Sequence, residues 1–138
     1  MPSQVTLSPI TRRAKMAAFY MKKQKGADAM LIVSKYGEIQ LTRGDTARLT
    51  VDITDSEGRA YEVKETDMLT LAVKKNYEDD LPLIKKVIIG INIFHIAPEE
   101  TKRLDFGKYK YDVQLTTADG DNYTIVADKV FTLTKEVG

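Results

Sequence analysis

The sequence predicts an all-β fold, an antiparallel β-sandwich of about seven to eight strands with one short helix and an N-terminal extension. Three observations carry that expectation. After Met30, apolar and polar residues alternate with a period of two in most segments; turn signals separate those segments at regular spacing; and a single short stretch carries helix-start and helix-stop residues. With 138 residues, 43% of them hydrophobic, one domain can bury a real core.

Residues 1–29 read as a basic arm, leaving 30–138 as the sandwich. Pro2 and Pro9 among Ser and Thr make the start loop-like. A short helix is expected from Thr11, as N-cap, to Gly26, as stop, with Met16, Phe19 and Tyr20 forming an apolar stripe at i, i+3, i+4. Arg12, Arg13, Lys15, Lys22, Lys23 and Lys25 against Asp28 make the arm +5 and the remainder −4. A basic arm on a mildly acidic body points to a partner surface, with Met16, Phe19, Tyr20, Arg12 and Arg13 as candidate partner-binding residues. The competing reading is a flexible, disordered extension ahead of a start at Met30.

In "TARLTVDIT", Leu49, Val51 and Ile53 alternate with Thr50 and Asp52, which predicts a strand. Asp55–Gly58 is a turn, "AYEV" a short strand, and "DMLTLAVKK" sets Leu69, Leu71 and Val73 on one face. "NYEDDLP" is an acidic loop, and "LIKKVII" and "INIFHIA" are strands split by Gly90. "PEETKRL" is the helix: Pro98 at N1, acids in the first turn, bases in the last. Tyr109, Tyr111, Val113 and Leu115 alternate in the next strand, and Asp119-Gly120 suits a tight primed-type hairpin turn. The returning strand "YTIVADKVFTLTKE" should bend or bulge at Asp128–Lys129, where its apolar run is interrupted.

Arg43-Gly44-Asp45 spells a handle for adhesion receptors. It lies between two strands with barely three residues to spare, so it reads as a turn built on Gly44. Asp105-x-Gly107-x-Tyr109 ahead of an alternating strand looks like the tyrosine corner of immunoglobulin-like sandwiches, in which the Tyr hydroxyl bonds backbone. Asp105, Gly107 and Tyr109 are thus the expected structural corner. Tyr111 stands where antibody domains carry cysteine, and should share the face without a corner bond.

Catalytic material is scarce. His95 is the one histidine and there is no cysteine, which leaves no thiolate metal site and no disulfide. Neither a nucleophile elbow nor a phosphate-cradling loop is present in the sequence, and the carboxylates, including Glu78–Asp80, fall in turns without calcium-loop spacing. The expectation is no enzyme, cofactor or metal. The acidic body without a recognition helix points away from nucleic acid, and no apolar run reaches the roughly 18 residues of a membrane span. Cysteine-free composition and a broken apolar run near the N-terminus fit a chain made in the cytoplasm.

The stretch "IQLTRGDTARLTVDI", then "TLAVKK", "IAPEETKRL" and "GKYKYDVQLTTADGDNYTI", together resemble small immunoglobulin-like structural proteins of bacterial phages and prophages. The pattern is similar to the N-terminal domain of the baseplate upper protein and runs from Met30 onward. The resemblance implies a non-enzymatic virion structural protein of tail or baseplate type. Such a protein would be made in the bacterial host and would contact other virion subunits or copies of itself. The alternative is a carbohydrate- or receptor-binding module using surface aromatics such as Tyr36, Tyr61 and Tyr77.

Overall fold

The computed structural model describes residues 18–23, 31–34, 37–54, 59–76 and 78–135. Among them the chain forms ten strands and one helix. The strands are β1 (Ala18–Lys23), β2 (Leu31–Val33), β3 (Ile39–Thr42), β4 (Ala47–Thr54), β5 (Ala60–Tyr61), β6 (Met68–Lys74), β7 (Ile84–Ile89) and β8 (Ile93–Ile96). Helix α1 (Pro98–Lys102) follows, then β9 (Gly107–Thr116) and β10 (Asn122–Thr134). The fold is all-β, as the period-two pattern requires.

Two sheets divide the strands. One has the order β2-β3-β10-β9-β6-β7; in the other, β4 pairs with β1 along one edge and with β8 and β5 along the opposite edge. All pairs are antiparallel except β3 with β10, which runs parallel from Ile39↔Phe131 to Thr42↔Thr134. The turn after β3 carries the chain on into the other sheet rather than back along its own, so β3 need not reverse.

Alternation decides what is buried. Leu49, Val51 and Ile53 of β4, Leu69, Leu71 and Val73 of β6, and Val113 and Leu115 of β9 all belong to one buried cluster. Phe94 and Ile96 of β8, and Phe131 and Leu133 of β10, join it from both sheets. Burying each such side chain is worth about 1.5–3 kcal/mol, so this cluster is the main source of stability.

Strand β10 does not pair evenly with β9. Tyr111 faces Lys129 but Val113 faces Val126, so β10 spends an extra residue there, and Asp128 takes a positive φ of 52°. The expected bulge is present. A second shift beside Val113 leaves Ile125 and Val126, though adjacent, both buried.

Two expectations are corrected. The β9–β10 hairpin is not a primed two-residue turn: Gly120 N–H donates to the Thr117 carbonyl (2.9 Å), and Gly120 alone takes a positive φ, 87°. That is a three-residue loop with glycine in the left-handed position, the other common way to match strand twist. The helix expected from Thr11 to Gly26 is replaced over Ala18–Lys23 by β1, with Phe19↔Ile53 and Met21↔Val51 in register. An open edge on β4 offers backbone hydrogen bonds to a segment too short to be stable as an isolated helix.

Helix α1 is a single turn with Pro98 at its start. Ala97 has no side-chain oxygen to cap it, so only half of a capping box forms: Ala97 N–H donates to Glu100 Oε2 at 2.8 Å.

Candidate functional site

Tyr109 is buried and its hydroxyl donates to the Asp105 carbonyl at 2.7 Å, across the turn that contains Gly107. The corner geometry read from the sequence is therefore present, and burial raises the phenol's pKa. Tyr111 shares the buried face and makes no corner bond, as expected; its hydroxyl instead donates to the Gly37 carbonyl, tying β9 to the turn before β3. Burial holds this phenol well above its ordinary value too.

The Arg43-Gly44-Asp45 segment is a turn closed by Asp45 N–H donating to the Thr42 carbonyl at 3.0 Å, with Gly44 at φ 88°. A positive φ at the third residue makes it type II. Arg43 Nη1 donates to the Leu104 carbonyl (3.1 Å), its guanidinium lies 4.2 Å from the Phe106 ring centroid, and Gly44 N–H donates to Thr101 Oγ1 (2.9 Å). The motif is locked against α1 and the segment after it; Arg43 is occupied inside its own chain.

Of the candidate arm residues, Phe19 and Tyr20 fall in β1 opposite Ile53 and Asp52, while Met16, Arg12 and Arg13 lie outside the described residues. The helical stripe does not exist at 19 and 20, which are successive strand positions. Tyr36 and Tyr77 also lie outside the described residues. Tyr61 is half-buried and donates to Asp67 Oδ2 at 2.5 Å; burial, then this bond, raise its pKa. It borders a cleft of about 650 Å³ lined by residues 51–54 of β4, 60–63 and 90–92. His95 is exposed on β8. Among the described residues, no group of three or more acidic or histidine side chains is placed to hold a metal ion.

The most unusual surface is the outer face of β6, β7 and β9. Register aligns Ile89 with Met68 and Thr116, then Val87 with Thr70 and Gln114, then Lys85 with Ala72 and Asp112. The first two rows carry no charge at all. Val87 is 48% exposed and Ile89 63%, and flanking β7 are Leu81 at 81% and Ile91 at 54%. A solvated sheet face ordinarily reads polar outward, so apolar side chains here mark a surface suited to being covered. In the third row Asp112 is half-buried, and that burial holds its carboxyl above the ordinary value against the pull of Lys74.

Sequence reading missed this face. The signal was available in "LIKKVII", where apolar residues occupy both parities of one strand: Ile84 and Ile88 inward, Val87 and Ile89 outward. Such a run is expected of a strand covered on both sides.

No protein-family model matches the chain, and no curated protein matches it.

Proposed function

We propose that this protein is an immunoglobulin-like, non-enzymatic structural subunit of a phage or prophage virion, of tail or baseplate type. It would be made in the bacterial host cytoplasm and act through protein–protein contacts. The fold part rests on how the strands are shared out. β4 and β8 pair in one sheet while β6, β9 and β10 neighbour one another in the second, the division of B and E from C, F and G in immunoglobulin sandwiches. The Tyr109–Asp105 bond supports the same reading. The virion part rests on the sequence stretches from Ile39 onward that resemble phage structural proteins.

The observation that carries the role is the pair of uncharged, partly apolar rows on the outer face of β6, β7 and β9. A catalytic or sugar-binding site is concave with converging polar or aromatic groups; an exposed sheet face of Met, Ile, Val and Thr suits packing against another subunit. Among the described residues, the cleft beside Tyr61 favours a ligand-binding alternative, but the hydroxyl of that aromatic is committed to Asp67.

The test is Ile89→Lys introduced into the producing phage or prophage. The position is exposed, so thermal stability should stay within about 0.5 kcal/mol of the parent, while incorporation into particles should fall at least tenfold. Incorporation equal to the parent, with the fold intact, overturns the reading.

A further inference from the structure

Next to its two uncharged rows, the outer face of the six-stranded sheet turns basic. In β9, Lys108, Lys110 and Asp112 share the outward parity of Gln114 and Thr116. Lys110 stands directly opposite Lys74 of β6, and Asp112 lies in one row with Ala72 and the exposed Lys85 of β7. Side chains so opposed have their Cβ atoms about 5 Å apart, and like charges at that spacing destabilise a sheet. Asp128 Oδ1 lies 3.5 Å from Lys110 Nζ, and the positive charge of Lys74 favours the ionised form of Asp112. Among the described residues, Lys85 and Lys108 have no ion-pair partner. Four lysines against two carboxylates leave this strip positive.

From this strip we infer that the face receives an acidic protein surface. The partner is a different subunit, whose apolar side chains cover the uncharged rows and whose carboxylates meet Lys74, Lys85, Lys108 and Lys110. This deepens the assembly reading and rests on it. Charge selects the occupant. A carboxylate set between Lys74 and Lys110 replaces a repulsion with charge-assisted hydrogen bonds to both ammonium groups. Apolar contact in the neighbouring rows excludes water and so limits screening by salt. An apolar centre edged by charge is also the ordinary anatomy of a protein–protein contact. A second copy presenting the same face would supply only Asp112 and Asp128, each already beside a lysine of its own chain. A phosphate surface, whether nucleic acid or lipid, spreads its negative charge evenly and would meet those two carboxylates along with the lysines. A folded partner can hold its acids at the lysine positions alone.

The experiment treats purified particles from the producing strain with a carbodiimide, which joins a lysine amine only to a carboxylate it touches. Lys74, Lys85, Lys108 or Lys110 should be found joined to Asp or Glu of another subunit. In parallel, Lys74→Glu with Lys108→Glu is introduced into the producing phage or prophage. Incorporation should fall at least tenfold, while Lys74→Arg, which keeps the charge, should be incorporated like the parent. The melting temperature of the purified double variant should not fall, because Lys74→Glu sets a carboxylate opposite Lys110. Links from these lysines only to acids of their own chain overturn the inference, as does normal incorporation of the double variant. If Ile89→Lys blocks incorporation and the double variant does not, the acidic partner falls and the assembly reading stands. A chain absent from the particles removes both. The last arm mixes the purified full chain with vesicles containing about 30% phosphatidylglycerol. Binding there that the double variant loses, without links to another subunit in the particles, assigns the lysines to lipid phosphate and overturns the inference.

Discussion

Two tyrosines on one strand show how much a single residue's role depends on sequence distance. Tyr109 bonds a carbonyl four residues away, so a local motif reveals it. Tyr111 bonds Gly37, 74 residues upstream, and no local pattern could announce that. Both phenols are almost wholly buried, but removing the hydroxyls should not cost the same. Tyr109→Phe loses a bond at a turn whose carbonyl can turn to water, about 1 kcal/mol. Tyr111→Phe strands a carbonyl beside a buried ring, so about 2 kcal/mol is expected. Urea unfolding of both variants checks the order; a larger loss for Tyr109→Phe would mean that the corner, not the long-range tie, anchors β9. Val113 was legible from alternation alone, and Val113→Ala should cost about 2 kcal/mol through lost burial and a residual cavity. A loss under about 0.5 kcal/mol would show that the core collapses around the gap.

At the scale of elements, strands that alternate cleanly (β4, β6 and β9) were legible, because one face must meet the core. β1 was not. Met16, Phe19 and Tyr20 have helical spacing, and only the open edge of β4, which a sequence does not display, makes a strand of Ala18–Lys23. The hairpin was legible as a turn but not in type, since Asp119-Gly120 serves either a two-residue primed loop or a three-residue loop with left-handed Gly120. Helix α1 was legible from Pro98, yet its cap was not: with Ala97 at the N-cap, the work passes to Glu100. Partial burial disfavours the Glu100 carboxylate, but the Ala97 N–H and the Lys86 ammonium outweigh it, and its pKa lies below the ordinary value. A depressed carboxyl contributes stability above its unfolded pKa and loses it as pH falls through the folded value. Glu100→Gln should therefore cost roughly 1 kcal/mol near neutral pH, with the gap to the parent closing on acidification below about pH 4. Thermal melts across that range measure it. A gap that widens in acid would contradict the assigned bonds.

For the whole molecule, the inner faces were readable and the outer face was not. Burial follows from hydrophobic period, but the meaning of an exposed Val87 or Ile89 depends on which strand ends the sheet, a fact of topology. Two strips of surface with opposite character result. The first two rows of the β6–β7–β9 face are uncharged and partly apolar, with Lys85 at their border, whereas exposed lysines such as Lys64, Lys75, Lys102 and Lys108 lie elsewhere. Cross-linking mass spectrometry with an amine-reactive reagent on purified particles from the producing strain tests the central claim most directly, because Lys85 stands at the border of the proposed interface. The account predicts the chain among the particle's proteins, with Lys85 either linked to a neighbouring subunit or shielded from the reagent while Lys64 and Lys102 react. Particles that lack the chain, or a Lys85 as freely labelled in the particle as in the isolated protein, would contradict it.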